Sequence, residues 1–466
     1  MISRDKQFYR QIFRLTGFLA MQNVIGCLVG LADNVMIGSY SQNALSGVAL
    51  ANQVQFLLQM LASGLGDGMV VIASQYWGTR RLEPIRRVLA TAFTFTFLMV
   101  IGFFTIARFI PEGVLGLLTG DAGAIAEGAR YMRIIAYSYP FFGATMIFLA
   151  AQRSIENVSV GIIASLSGLI VNIFGNWVLI FGHLGLPRMG AQGAALATLL
   201  ARMVECGVVL FYTYRVDRKL SITFKYFAKL DPALLKDYRR YGTPVVMACA
   251  SWGIAMMIQT AVLGHLGSNA IAANSIANSL FQVITVVTYG ISTASGVIIG
   301  KAVGSDNTHR LREYVQTLQW IYLLIGAVSS ALLFLGKGAI LSLYAVSPEA
   351  MDMANRFMVV LSVTILGTAY QNPTLTGIVR GGGNTKFVFY NDLIFMWGIV
   401  LPMSILAAFV FRWDPVIVFI CLKADQVLKC FVAIWEVNSY RWVRKVTRDE
   451  AAERIAEDLS GAEIES

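Results

Sequence analysis

About twelve stretches of this chain stay apolar over the roughly 20 residues that a helix needs to cross a bilayer core. They begin near Ile12, Leu50, Val88, Tyr131, Gly161, Ala191, Tyr241, Ala270, Gln316, Met353, Phe387 and Pro415. A helix satisfies its backbone hydrogen bonds within itself, so hydrocarbon strongly favours it over irregular chain. The expected fold is therefore all-α and integral to the membrane, with twelve transmembrane helices. Connections between the stretches are short, and no soluble catalytic domain is expected beside them. Composition agrees, since 56% of the 466 residues are hydrophobic and 14% charged, which is too apolar for an ordinary soluble protein.

The first apolar stretch is long and runs into GLADNVMIG, residues 30 to 38, so it is read as a retained helix rather than a cleaved signal. Cys27, Cys206, Cys249, Cys421 and Cys430 all fall within expected helices and suit neither a disulfide framework nor a zinc site. The formal net charge of +10 invites a nucleic-acid reading, but the basic residues alternate from side to side. Arg4, Lys6, Arg10 and Arg14 precede the first helix, Arg80, Arg81, Arg86 and Arg87 follow the second, and Arg441, Arg444 and Lys445 follow the twelfth. About 27 Lys and Arg lie on one side against about 7 on the other, which places both termini in the cytoplasm of a cell (inner) membrane protein.

The chain repeats itself. Shifted by 226 residues, MIGSYSQNALSGVALAN from Met36 meets VLGHLGSNAIAANSIAN from Val262. Gly64 then falls on Gly290, Gly78 on Gly304 and Arg86 on Arg312; one further residue of shift brings Arg153 onto Arg380 and Asn157 onto Asn384. The expected domains are a six-helix bundle over 1–214, a basic cytoplasmic linker over 215–240, a second bundle over 241–446 and a cytoplasmic tail over 447–466. Each half has an even number of helices, so the two halves share one orientation, related by an axis along the membrane normal, and substrate sites of such duplicated transporters lie near the interface of the halves.

Asp33 stands just inside the end of the first helix, with Gly26 and Gly30 on its face. A carboxylate at that depth costs a few kcal/mol on insertion scales and marks a functional site, unless it reaches outward to the interface. Asn172 and Asn176, spaced i and i+4, put two amide oxygens on one face of the fifth helix. Such oxygens suit Na⁺ and other hard cations; interhelical hydrogen bonding is the competing use. The repeat sets Gln259 opposite Asp33, retaining polarity without charge, and Gln259 is itself a candidate cavity residue. Asp67, in GLGDGMV of the second helix, either assists binding or accepts hydrogen bonds from a neighbour. Asn52, Gln55 and Gln59 share a face of the second helix; with Gln282, Trp252, Met256, Met257 and Tyr370 they are candidate cavity residues, since Met adapts its shape and aromatic faces attract cations. Arg202 with Glu205 and Asp425 with Lys429 are spaced as ion pairs, which points to structural neutralisation. GGGN, 381 to 384, lacks the strand and the Lys-Ser/Thr of a phosphate loop and reads as a turn.

ADNVMIG followed by NALSGVALAN, ASQYWGTRR at the second-helix exit, VNIFGNWVLIFGHLGLPRMGAQGAALAT, GHLGSNAIAANSIAN and GIVRGGGNTKF, in this order and spacing, resemble the multidrug and toxic compound extrusion (MATE) transporters over essentially the whole chain. The resemblance implies two pseudo-symmetric six-helix bundles facing each other across a central cavity, in a cation-coupled secondary antiporter that exports amphipathic, often cationic organic compounds by alternating access. It further implies that Asp33, Asn172 and Asn176 form the cation site, for Na⁺ or H⁺. Many members have a second acid where Asn176 stands, and its loss tilts the expectation towards Na⁺. Some branches carry a Glu in the seventh helix and an Asp in the tenth, where this chain has Trp252 and Ala369, so coupling is expected mainly in the first half. Phe18 replaces a first-helix Pro common in relatives; the repeat puts Pro244 opposite it. A lipid-precursor flippase would want a more cationic cavity, and few Lys or Arg fall within helices. A multi-pass membrane enzyme would need a reactive cluster, yet His183, His265 and His309 sit singly. A passive channel accords less well with a repeat and a buried acid. The expected transporter needs no cofactor, works as a monomer in the bilayer on a small organic substrate, and is no enzyme.

Overall fold

The computed structural model describes residues 3–228, 230–342 and 347–448; of the expected tail, 449–466 lie outside the described residues. The first six spans are α1 (Lys6–Tyr40), α2 (Gln42–Gly78), α3 (Leu82–Phe109), α4 (Ala122–Ser154), α5 (Ser159–Phe181) and α6 (Ala191–Asp217). The second six are α7 (Pro232–Gly264), α8 (Ser268–Gly304), α9 (Thr308–Leu341), α10 (Pro348–Val379), α11 (Thr385–Val410) and α12, formed of Pro415–Lys423 and Asp425–Ser439. Twelve crossings form two pseudo-symmetric six-helix bundles. They bring Asp5 and the residues after α12 to the same face, here called the terminal face.

Local chemistry sets the helix ends. Asp5 accepts from the N–H groups of Gln7 and Phe8 to cap α1, and Ser41 accepts from Ala44 to cap α2. Gly182 ends α5 at φ 75°, a left-handed conformation that costs glycine little. The absent first-helix proline leaves α1 as one continuous helix of 35 residues. Among the described residues, eleven helices are long and apolar enough to span by length and composition. The twelfth is not, because it is interrupted at Ala424 into pieces of 9 and 15 residues and carries Lys423, Asp425, Lys429 and Glu436. Helical backbone also enters the expected linker from both sides, to Asp217 and from Pro232. Large apolar side chains such as Leu98, Leu324 and Leu335 point outward, where lipid solvates them.

Repeat-related glycines set the seam between the bundles. A Cβ on Gly78 of α2 would collide with the Lys301 carbonyl of α8, and one on Gly304 of α8 with the Gln75 carbonyl of α2. The 226-residue shift carries Gly78 to Gly304 and Gln75 to Lys301, so one contact is the image of the other. Higher up, Gly64 packs against Val246 of α7 while its counterpart Gly290 packs against Thr16 and Ala20 of α1. Glycine lets these backbones approach closely, which is how helices associate where no hydrophobic force separates protein from solvent.

On the terminal face the bundles are tied by charge and by the chain that follows α12. Lys301 of α8 bonds Glu156, after α4, at 2.8 Å, and the Trp77 indole donates to the same carboxylate. Residues 440–448 run across the seam as a strap. Trp442, fully buried, seats over Gly382, and the Arg444 N–H donates to the Gly382 carbonyl at 2.8 Å. Gln75 of α2 donates to the Arg444 carbonyl and accepts from the Val446 N–H. Arg448 then pairs with Asp237 at 2.8 Å. GGGN is indeed a turn, and it is the strap's seat.

Candidate functional site

In the first bundle α1 meets α5. The Asn176 amide donates to the Asp33 carboxylate at 2.5 Å, and to Asn172 Oδ1 at 3.3 Å. Asn172 in turn donates to the Thr198 hydroxyl of α6 at 3.3 Å. Both asparagines are fully buried. Asn172 and Arg202 of α6 also face Asp33, and the buried Tyr131 of α4 joins Thr198 and lies within the carboxylate's field. Arg202 is already bonded to Glu205 at 2.7 Å and lies over the Phe142 ring. Donors to Asp33 are thus neutral amides. Asn176 Oδ1 is a buried oxygen with no hydrogen-bond partner among the described residues. A carboxylate of α1, an unsatisfied amide oxygen of α5 and a hydroxyl of α6 thus belong to one cluster of side chains, of the oxygen type that could hold a hard monovalent cation. The spacing of Asn172 and Asn176 pointed here; Thr198 and Tyr131, common residue types on other helices, gave no signal in the sequence.

The same junction in the second bundle is different. Gln259 of α7, the counterpart of Asp33, is buried and donates to the Met396 sulfur of α11, the fifth helix of its own half, at 3.2 Å. Among the described residues no carboxylate bonds Gln259.

A central cavity of about 880 Å³ lies beside it, walled mainly by α2, α7, α8, α10, α11 and α12. Of the expected cavity residues, Asp67, Trp252, Met256, Met257 and Gln282 line it. Asn52, Gln55, Gln59, Gln259 and Tyr370 do not; in each case the next residue does, namely Gln53, Phe56, Met60, Thr260 and Gln371. The Tyr370 hydroxyl instead donates to Gln319 of α9 at 2.8 Å. The cation-site candidates Asp33, Asn172 and Asn176 also lie off this wall.

Asp67 closes the end of the cavity towards the terminal face. Arg153 of α4 bonds one of its oxygens at 2.9 Å and Arg380, at the end of α10, the other at 3.1 Å. These two arginines are the repeat-related pair, so one carboxylate of α2 holds a guanidinium from each bundle. Between Asn372 and Arg380 the helix widens into a π-helical stretch, Pro373–Val379, that begins at a residue without an N–H donor. The expected ion pair of Asp425 with Lys429 forms at 3.3 Å and gains a third member, Asp392 of α11, 2.9 Å from the same ammonium. The wall therefore holds more charge than the scarcity of helical Lys and Arg suggested, though most of it is matched.

The model of the MatE family matches residues 19–178 and 244–406. An uncharacterized transporter of Bacillus subtilis (strain 168), YisQ, is 24% identical over 444 residues, covering 95% of this chain and 96% of that one. A probable multidrug resistance protein of Thermotoga maritima, NorM, is 23% identical over 446 residues, 93% of each chain. Among solved structures, an outward-facing multidrug resistance MATE transporter superposes with a TM-score of 0.83 at 20% identity, over 94% of this chain and 98% of that one. A MATE transporter in complex with MaL6 superposes equally well, at 0.83 over 92% and 95%.

Proposed function

The chain belongs to the MATE family of multidrug efflux transporters, and from that premise we propose that it exports amphipathic, often cationic organic compounds in exchange for Na⁺ or H⁺ held at Asp33. A family of transporters leaves no place for an enzymatic reaction, and none is needed. The observation that carries the coupling assignment is the orphaned Asn176 oxygen beside a carboxylate that only neutral amides bond. A bare carboxylate at this depth is costly, and a monovalent cation neutralises it while satisfying the amide oxygen. Amide and hydroxyl partners favour Na⁺; a proton carried by Asp33 alone is the alternative. The positive residues of the terminal face support a cytoplasmic placement for it. The Asp67 clamp and the strap then hold the cytoplasmic side together, and alternating access requires both to release. A monomer suffices, because both bundles needed for rocking lie in one chain. The flippase reading is weakened by the pairing of Lys429 and Arg380 with Asp392, Asp425 and Asp67.

The decisive measurement is transport of a cationic dye by purified protein in liposomes under separately imposed Na⁺ and H⁺ gradients. Export driven by the Na⁺ gradient is the expected result. Export that follows a proton gradient and ignores Na⁺ reassigns the ion while keeping the site; indifference to both gradients sinks coupled antiport.

A further inference from the structure

One cation of the central cavity has no direct ion-pair partner among the described residues. Lys423 of α12 is 8% exposed and lines the cavity. Its depth is about 12 Å from the start of α12 at Pro415, eight residues away. Its ammonium lies over the rings of Phe281 and Phe419, at 5.4 and 5.6 Å. Among the described residues it has no hydrogen-bond acceptor and no carboxylate within ion-pairing distance. The nearest acid, Asp425, is already committed, since Lys429 holds it at 3.3 Å and Gln426 donates to both of its oxygens at 3.1 Å. Asp392 is likewise held by Lys429. Ring faces stabilise an ammonium but accept none of its hydrogen bonds in the way an oxygen does.

We propose that Lys423 is an anion-recognising residue of the cavity and that the cavity takes amphipathic substrates bearing a carboxylate, zwitterions included. This rests on the reading of the cavity as the substrate path. The geometry suits such a molecule: Trp252, Phe56 and Phe389 supply aromatic faces for its body, and Asp392 also lines the cavity. A carboxylate at Lys423 supplies the missing hydrogen-bond acceptor. A compound that is only cationic gains nothing there.

The test compares rhodamine 110, which carries a free carboxylate, with its methyl ester rhodamine 123, by fluorescence anisotropy on the full-length protein in phosphatidylcholine nanodiscs, where no anionic headgroup competes. Lys423→Gln should weaken rhodamine 110 by about tenfold and move the ester by less than about twofold, while Lys423→Arg keeps the acid within about threefold. Equal losses for both dyes, no loss for the acid, or no binding of the acid by the unaltered protein overturns the proposal. Should the Gln variant fail to fold, the unaltered protein still decides: 2-naphthoate should displace rhodamine 110 where 2-naphthamide does not, and equal displacement overturns the proposal. Dyes that bind in this pattern but are not exported from liposomes under either gradient would leave the anion site standing and remove the exporter reading instead.

Discussion

The α1–α5 junction of the first bundle and the α7–α11 junction of the second occupy equivalent places in one repeat, yet they have taken opposite chemistry. In the first, Asp33 meets two asparagines and a threonine. In the second, Gln259 meets a methionine sulfur, and Asp392 of α11 and Asp425 of α12 share the ammonium of Lys429. A carboxylate bonded only by amides keeps its charge available to an ion from solution. Carboxylates that share a lysine have spent theirs. On the proposed reading, the difference teaches that the same helix packing can house either a site that loads and unloads an ion or one whose carboxylates are held by a lysine, and that the nature of the nearest donors decides which.

Removing the acid is the strongest way to break this comparison. Asp33→Asn should abolish the dependence of dye export on the cation gradient, reducing gradient-driven transport in liposomes by at least about a hundredfold, which corresponds to about 2.7 kcal/mol of coupling. Full coupling in that variant would move the ion site elsewhere. On the balanced side, Lys429→Met strips both carboxylates of their cation. Loss of one partner of a buried pair costs about 3–5 kcal/mol, so a large fall in the melting temperature is expected, with coupling retained in whatever folds. Gln259→Asp then asks whether a charge alone makes a site. Facing Met396 with no amide donors, it should cost about 2–3 kcal/mol of stability and leave the number of coupled ions per dye unchanged; a second coupled ion would show that donors matter less than argued here. The smallest effect is expected from Thr198→Val, which removes one hydroxyl from the first site at about 1 kcal/mol, a several-fold rise in the Na⁺ concentration for half-maximal transport.

The spans, the repeat and the acid with its two asparagines were legible in the sequence because each is a pattern along the chain. The orientation of each helix about its own axis was not. Asn52, Gln55 and Gln59 have the right spacing for one face of α2, but Gln53, Phe56 and Met60 are the residues on the cavity wall. Gln259 and Tyr370 miss in the same direction, by one residue. One residue is about 100° of rotation on a helix, and that angle is set by neighbours such as the Gly64–Val246 contact, which periodicity does not encode. The Asp67 clamp was half legible: the repeat paired Arg153 with Arg380, but only the folded chain brings both to one carboxylate. Lys423 gave no signal because its solitude is a fact about where Asp425 and Asp392 point.

The strap of residues 440–448 bears on the order of events during biosynthesis. It follows all twelve spans in the chain, and its seats on Gln75, Asp237 and Gly382 belong to both bundles. A nascent chain that has inserted every helix therefore still has an unfastened terminal face, and the sealing of that face against leakage waits for the translation of a few residues that never enter the membrane.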